Sequence, residues 1–513
     1  MSQGIERASR RNWLAVYGAA LGAFIAVLDI QIINASLADI QGALSASVEE
    51  GSWISTAYMI AEIVMIPLSG WLVQVLSLRT YMRFTIVLFV AASMLCGLAW
   101  SLESMILFRV LQGIGAAPLI PLAFSLVRLR LPASDQAKGM ALFSFSAVFA
   151  PAIGPSLGGW LTETFSWHLI FYINLVPGVI MFLMLSASLD KEPMQLNKLR
   201  EADWLGIFTL SLGLATLEYF LEEGNRKDWF GSEIIVWTAL IAAVSLVAFT
   251  WLQLTRERPL LNLRLLGQRQ FLMATLANMG LGLGLYGSVY ILPLYLSQVQ
   301  GYNSLQIGEV LMWGGMPQLL LIPMVPRLMK RVSPRLMASL GFILMAFSVY
   351  LNTTMTGDYA GDQFRMSLLI RALGQPFIMI PLSMLAMEKI MPKDVPSASS
   401  LFNTSRNLSG AIGIALLATI IQRHSTLHAA RLSETLPMYG DLIQQRLDTL
   451  SAVMPQLSFQ QQVGLIARQL TEQATIMAYA DAFYIVAFIL VLGLVATALT
   501  SNRFVWLRTS KMK

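Results

Sequence analysis

The sequence predicts an all-α integral membrane protein that crosses the bilayer fourteen times. Of its 513 residues, 56% are hydrophobic and only 12% are charged. Soluble globular domains carry about twice that charged fraction, so the composition is typical of a membrane protein. Apolar runs of about 20 residues, long enough to cross a hydrocarbon core of about 30 Å as a helix, recur along nearly the whole chain.

Fourteen such runs divide the chain, and each is separated from the next by polar or turn-forming residues. They lie near residues 13–34, 53–75, 84–101, 103–127, 139–162, 168–189, 204–222, 233–254, 271–297, 303–326, 336–354, 365–388, 398–421 and 477–500. The first run is too long for a signal peptide and lacks a small-residue cleavage site, so we expect it to remain as the first helix.

The basic residues predict that both chain ends lie in the cytoplasm. Most of the 35 Lys and Arg fall on the side of the N-terminus, and cytoplasmic loops carry an excess of such residues. Residues 1–12 then form a cytoplasmic N-terminus and residues 501–513 a cytoplasmic tail. This topology accounts for the net charge of +6 without nucleic acid binding. Cys96 is the single cysteine, which excludes a disulfide within the chain, and we expect no metal site.

Two short internal similarities indicate that the chain contains a repeat. IPLSGWL at 66–72 matches IPMVPRL at 322–328, and FRVLQG at 108–113 matches IRALGQ at 370–375, at nearly equal offsets. Short similarities between apolar helices also arise by chance. Parallel repeats of this kind occur in transporters that bind substrate between two halves near the membrane midplane.

The repeat predicts three units within the membrane. An N-terminal six-helix bundle covers 13–189, two inserted helices cover 204–254, and a C-terminal six-helix bundle covers 271–500. Within the last unit, 422–476 is one long external loop with two amphipathic stretches. That loop is either a cap lying on the membrane surface or a docking surface for a periplasmic partner.

Three charged residues in the N-terminal bundle form the main candidate site. A charge at the centre of a membrane helix costs about 2.5 to 3.5 kcal/mol, so each needs water or a partner. At about 1.5 Å per residue, Glu62 lies roughly 13 Å and Arg109 about 10 Å below the outer boundary. Asp29 lies about 6 Å below it. We expect Asp29, Glu62 and Arg109 to form a proton-coupling cluster, with Glu62 as the carrier because it is the deepest.

Each of these residues also has a structural interpretation. In this interpretation, Arg109 and an acid form a buried ion pair that fixes helix packing. Asp29, being near the surface, would be hydrated or would cap the helix end.

Further residues are secondary candidates for the same function. Glu218 lies one turn from the outer end of its helix, and we expect it to extend towards the interface. Gln318 occupies the repeat position that corresponds to Glu62. The remaining charges deep in helices are Glu309, Arg371 and Arg406.

The stretch APAIGPSLGGWL at 150–161 contains closely spaced small residues and two prolines. Gly154, Pro155, Gly158 and Gly159 would let another helix backbone approach closely, and the prolines would bend the helix. The stretch is therefore a tight packing surface, a flexible seam between the halves that controls opening, or both.

Several motifs resemble those of the major facilitator superfamily. FRVLQGIGAAPLIP resembles its helix-4 motif, and GPSLGGWL resembles its helix-5 antiporter motif. LDIQIINASL, WISTAYMIAEIVMIPLSGWL and FNTSRNLSGAIGIAL are similar to the fourteen-helix drug:proton antiporters of the EmrB/QacA type. The long loop before the last helix is similar to that of the EmrB-like members.

This resemblance implies export of hydrophobic, toxic compounds driven by proton entry, with no cofactor other than the proton gradient. It also implies a bacterial inner-membrane location, a role in antibiotic resistance, and assembly with a periplasmic membrane-fusion adaptor and an outer-membrane channel. One departure is the loop after helix 2, where Gln74, Val75 and Ser77 replace the charged and glycine residues of the usual latch.

Two other functions are compatible with this membrane-protein composition. The first is a dedicated exporter of one lipid or secreted metabolite. The second is a membrane-embedded enzyme, which would need a cluster of reactive side chains at membrane depth. The three histidines, His168, His424 and His428, are all predicted at or outside the outer boundary, which argues against the enzyme.

Overall fold

The computed structural model describes residues 8–257, 259–435, 441–454 and 456–500. Over these residues the chain is helical and contains no β-strand. Thirteen of the described helices are long and apolar enough to cross a membrane, and a bent helix supplies a fourteenth. The predicted all-α membrane fold is confirmed. Most of residues 1–12 and the whole predicted tail, 501–513, lie outside the described residues.

We number the fourteen spans α1 to α14 in chain order. Their bounds are Arg10–Ala43, Val48–Leu76, Leu78–Cys96, Leu102–Arg130, Ala133–Thr164, Leu169–Ser188, Trp204–Gly224, Glu233–Thr255, Arg269–Gln298, Leu305–Leu328, Pro334–Leu351, Phe364–Met387, Val395–Thr435 and Phe459–Ala498. Shorter helical segments cover Asn197–Arg200, Trp229–Gly231, Leu263–Gly267, Asn352–Thr354, Pro392–Asp394 and Asp441–Val453.

Side-chain caps define where several spans begin. Ser47 accepts a hydrogen bond from the Glu50 backbone while the Glu50 side chain accepts one from the Ser47 backbone, and α2 starts at the next residue. The same reciprocal cap precedes α4, α10 and α14. Such caps satisfy backbone donors that the first helical turn leaves unpaired. α5 bends by 46° after Pro151, where the two prolines remove backbone donors.

α7 lies beside the boundary between the N-terminal helices, α1–α6, and the C-terminal helices, α9–α14. It packs against α2 on one side and α13 on the other, while α8 packs mainly on α7. Polar residues of α7 can therefore reach the space between the two sets of helices. The division into two six-helix bundles and an inserted pair stays a prediction.

The two sets of helices are in contact on the side of the membrane where α1 begins, which we call the terminal side. Ser399 donates a hydrogen bond to the Pro121 carbonyl (2.7 Å), and Arg128 donates one to the Met387 carbonyl (3.2 Å). A Cβ on Gly70 would lie 3.1 Å from the Pro396 carbonyl oxygen, so α2 and α13 approach each other closely there. These contacts close the terminal side.

The segment 422–476 on the opposite side, the far side, is built mainly from the ends of two spans. α13 continues to Thr435 and α14 already begins at Phe459, with the Asp441–Val453 helix between them. Ser425 and Thr475 hydrogen-bond across the pair (2.9 Å). We call the far-side ends of α13 and α14 the hairpin. Helices make up much of the described part of 422–476, which was predicted as one external loop with two amphipathic stretches, and the external position of this segment stays a prediction.

Candidate functional site

A cavity of about 380 Å³ lies between the N-terminal and C-terminal helices. Its wall is formed by α1, α2, α4, α5, α7, α9, α10, α12 and α13, and most lining side chains are apolar. On α2 the lining residues run from Ser52, near the far-side start of the helix, to Ile63. The cavity therefore extends towards the far side while the terminal side is closed.

Asp29 is held in a hydrogen-bonded network at the edge of this region. Its Oδ2 accepts a hydrogen bond from Arg109 Nη1 (2.8 Å), and its Oδ1 accepts from Gln112 Nε2 (2.8 Å) and Asn174 Nδ2 (2.7 Å). Asn174 also donates to Ser93 (3.0 Å). Four helices, α1, α3, α4 and α6, are joined through this one carboxylate.

Asp29 is only 1% exposed, and so is Arg109. The suggestion that Asp29 is hydrated or caps a helix end is therefore wrong; α1 continues to Ala43, and the surrounding helices exclude water from the carboxylate. Arg109 is satisfied as well: its Nε donates to the Ile54 carbonyl (3.0 Å), and its guanidinium lies 4.1 Å from the centre of the Tyr58 ring. Such a buried pair requires both charges and all its hydrogen bonds to remain stable.

Glu62 has a different environment, because its carboxylate faces the cavity. It is 7% exposed and lies one residue before Ile63 on the lining face of α2. Within the described part of the chain, its carboxylate has neither a hydrogen bond nor an ion pair. Arg109, Asp29 and Arg406 are near enough for their charges to act on it. A carboxylate in this position can exchange a proton with water in the cavity.

Glu218 also faces the cavity, which corrects the expectation that it extends towards the interface. It is 4% exposed, and its Oε2 has no hydrogen-bond partner among the described atoms. The depth of Glu218 along α7 was estimated from the sequence, but the rotation of α7 about its axis directs the side chain inwards. Glu222, one turn further on, lines the same cavity and was missed. Its spacing of four residues from Glu218 was the available signal.

The C-terminal helices contribute basic and amide groups to the same cavity. Arg371 Nη1 donates to Ser288 Oγ (3.3 Å), and its Nε has no hydrogen-bond partner among the described atoms. Arg406 donates to Asn403 Oδ1 (3.0 Å). Gln318 faces the cavity from α10, opposite Glu62 on α2, and donates to the Gly314 carbonyl (2.6 Å). The cavity thus has acids on its N-terminal and α7 walls and guanidinium groups on its C-terminal wall.

Glu309 does not belong to this group of residues. It lies in the second turn of α10, is exposed, and is not part of the cavity lining. Its depth in the predicted span had made it a candidate, but it lies too near the far-side end of the helix.

The small residues of α5 face α1, which belongs to the same set of N-terminal helices. A Cβ on Gly158 would lie 2.7 Å from the Ile32 carbonyl oxygen, and one on Gly154 would collide with Gln31. The predicted close backbone approach is present, but these two residues do not form a seam between the halves. Ser156 of this stretch meets the C-terminal helices at Gly308 of α10. Pro155 and Gly159 lie beside them in α5.

The hairpin contains a small cluster of titratable residues outside the cavity. Asp481 Oδ2 lies 2.6 Å from His424 Nδ1 and 2.8 Å from His428 Nε2. The three side chains have ligand-type atoms within 4.8 Å of one another. In this arrangement the carboxylate links α13 to α14 through two imidazole rings.

Comparisons with known proteins agree with this architecture. The sequence profile described as Major Facilitator Superfamily matches residues 19–414. The protein named Colistin resistance protein EmrB, from Acinetobacter baumannii, is 32% identical over 94% of this chain and 95% of its own length. The Multidrug export protein EmrB of Escherichia coli is 30% identical over 93% of each chain.

A solved structure shows the same fold at low sequence identity. The crystal structure of the human organic anion transporter TETRAN covers 94% of this chain and 100% of its own, with a TM-score of 0.56 and 13% identity.

Proposed function

The chain belongs to the major facilitator superfamily, and we propose that it exports hydrophobic, toxic compounds across a bacterial inner membrane in exchange for protons. Membership of this family makes it a membrane transporter rather than an enzyme. The proposal that its substrates are drugs is supported by relatives whose names refer to multidrug export and colistin resistance.

One observation carries the proposal of proton exchange: Glu62 is a carboxylate that has no hydrogen-bonding partner among the described residues, and it faces a mainly apolar cavity between the two sets of helices. Apolar walls bind hydrophobic compounds, and a single group that gains and loses a proton can link their release to proton entry. Glu62 is therefore the proposed carrier. Protonation removes its charge from the cavity, and deprotonation restores it when the cavity opens to the other side.

Asp29 and Arg109 have a supporting role in this mechanism. Their network fixes α1, α3, α4 and α6 relative to one another, while the charges of both residues act on Glu62. A change in the contact between Arg109 and Asp29 would alter the electrostatic potential at Glu62. We propose that Arg109 and Asp29 thereby relay the conformational change to the carrier.

The conformational change itself is a rocking motion of the two sets of helices. The contacts of Ser399 with Pro121 and of Arg128 with Met387 separate as the terminal side opens. Ser156 and Gly308 form a close contact between α5 and α10 about which the helices can turn. The cavity then faces alternate sides of the membrane, as transport by this family architecture requires.

The proposed orientation places both chain ends in the cytoplasm and the hairpin in the periplasm. A periplasmic membrane-fusion adaptor and an outer-membrane channel are the proposed partners, so that export ends outside the cell and contributes to antibiotic resistance. The hairpin supports this proposal because it extends two helices beyond the length needed to span the membrane.

The decisive experiment measures substrate-driven proton flux in vesicles containing the purified protein. Glu62→Gln is expected to abolish proton release in response to substrate, because the amide cannot take up and release the proton. Glu309→Gln is the matched control, since this acid lies in a span but outside the cavity. Full proton-coupled flux in Glu62→Gln would exclude Glu62 as the carrier, and export without any proton gradient would exclude antiport.

A further inference from the structure

The two halves of the repeat differ in how they neutralise an equivalent arginine. Arg109 in FRVLQG and Arg371 in IRALGQ occupy matching positions of the repeat. Arg109 donates to the carboxylate of Asp29 on α1, and Arg371 donates to the hydroxyl of Ser288 on α9. Ser288 therefore occupies in the C-terminal helices the place that Asp29 occupies in the N-terminal helices. The geometry is repeated, but the negative charge is not.

Arg371 consequently has an incomplete set of partners. Its hydrogen bond to Ser288 is long, at 3.3 Å, and its buried Nε has no acceptor. No acid of the described chain forms an ion pair with Arg371 or with Arg406. A buried cation without an anion is costly, so a guanidinium in this position binds an anion strongly when one is supplied.

The surroundings of Arg371 define what kind of anion fits. Leu311, Met379 and Ile414 are among the apolar side chains of the cavity wall. The acids of the site, Glu62, Glu218 and Glu222, lie on α2 and α7, whereas Arg371 and Arg406 lie on α12 and α13. A ligand with one anionic group at Arg371 and an apolar body along the wall would match both features. Guanidinium and carboxylate are suited to each other because two parallel hydrogen bonds can form.

We propose that Arg371 binds the carboxylate of apolar organic acids and so makes them preferred ligands of the cavity. This inference rests on the proposed function in that the cavity is taken to be the transport site. The inference adds a substrate class and a residue that determines selectivity. It also explains why Arg371 can bind a ligand: position 288 carries a serine, whereas the corresponding place in the N-terminal helices carries the carboxylate of Asp29.

The test compares an acid with its neutral counterpart in direct binding to the full-length protein. The probes are dansylaminoundecanoic acid and its primary amide, titrated into protein in zwitterionic nanodiscs and corrected for binding to empty nanodiscs. For the wild type, the acid is expected to bind about 10- to 100-fold more tightly than the amide, the range that one charge-assisted hydrogen-bonded pair gives. Equal binding of acid and amide to the wild type would overturn the proposal.

Two substitutions locate the effect at Arg371. Arg371→Gln is expected to remove the preference for the acid while the amide still binds, which also shows that the cavity is intact. Ser288→Asp supplies the carboxylate that the other half of the repeat has, so it should neutralise Arg371 and suppress binding of the acid. Ser288→Asn adds similar volume without charge, and the acid should bind Ser288→Asp more weakly than Ser288→Asn. Unchanged preference in Arg371→Gln would refute the assignment.

The binding test is independent of proton coupling, because it requires no gradient. If Glu62→Gln retains full proton flux but the acid preference depends on Arg371, the proposed carrier is wrong and the anion site stands. If Glu62→Gln abolishes flux while acid and amide bind equally, the antiporter proposal stands and the anion site falls.

Discussion

Removal of the charge at Asp29 should destabilise the protein more than any other single substitution of a charged residue discussed above. In Asp29→Leu, Arg109 loses its anion, and Gln112 Nε2 and Asn174 Nδ2 lose an acceptor at 2.8 and 2.7 Å. Breaking a buried pair from one side costs about 3–5 kcal/mol, since an uncompensated charge remains. Arg109→Met should cost less than Asp29→Leu, because Gln112 and Asn174 still donate to the carboxylate.

A double-mutant cycle separates the pair from its surroundings. The variant Asp29→Leu with Arg109→Met contains neither charge, so its loss of stability should be smaller than the sum of the two single losses by at least about 2 kcal/mol. The free energy of unfolding can be measured by titrating protein in mild detergent with sodium dodecyl sulfate and following tryptophan fluorescence. Additive losses, with coupling below about 0.5 kcal/mol, would refute the interpretation that the two charges stabilise each other.

Three further predictions concern other parts of the molecule. Gly158→Ala should destabilise the protein by about 1–3 kcal/mol in the same titration, because the added Cβ would lie 2.7 Å from the Ile32 carbonyl oxygen and force α1 and α5 apart. The hydrogen bond from Arg130, together with the charge of Arg11, holds the pKa of Asp190 below its ordinary value of 3.8. Its stabilising contribution is therefore complete above pH 3.8 and is lost as the pH falls further, and Asp190→Asn should make melting temperature less sensitive to acid in that range. Asp481→Asn should speed amide hydrogen exchange at the far-side ends of α13 and α14, because it weakens the link to the two histidines.

Matched controls make these outcomes interpretable. Gly464→Ala places a Cβ in open space on α14, and because alanine favours the helix more than glycine does, it should stabilise the protein by about 0.5–1 kcal/mol. An equal loss in Gly158→Ala and Gly464→Ala would show that helix contact is not the cause. Unchanged acid sensitivity in Asp190→Asn would contradict the assignment of this carboxylate. Faster exchange on the terminal side as well as at the hairpin would contradict a local role for Asp481.

The number and approximate position of the spans followed from the sequence, because hydrophobicity over about 20 residues depends only on the thickness of the membrane. The depth of Glu62 below the outer boundary stays a prediction, although the structure places this residue at the cavity wall. The direction in which a side chain points did not follow from the sequence, since it depends on how each helix is rotated by packing against its neighbours. Glu218 was misinterpreted for this reason, because it was expected to extend towards the interface and instead faces the cavity. For Gly158 the predicted close backbone approach is present, and the helix that approaches is α1.

The amide partners of Asp29 were not predicted, although its proximity to Arg109 was expected. Gln112 lies one turn from Arg109 in α4, and that spacing was the available signal. Asn174 is an isolated amide in an apolar stretch of α6, and nothing in its local sequence distinguishes it from other buried amides. Ser288 could not be identified from its local sequence either, because its significance depends on Asp29, the residue that holds the corresponding place in the N-terminal helices. Only the three-dimensional pairing of Arg371 with Ser288 shows that the C-terminal helices lack a carboxylate at this place.

α13 gives the molecule a mechanical connection from one side of the membrane to the other. This single helix of 41 residues carries Ser399 at the terminal-side contact, Arg406 in the cavity, and His424 in the hairpin. Its length is about 60 Å at the usual rise per residue, so a tilt of about 5° around its terminal-side end displaces the other end by about 5 Å. A helix of this length therefore converts a sub-ångström adjustment at the terminal-side contact into a displacement of several ångströms at the hairpin.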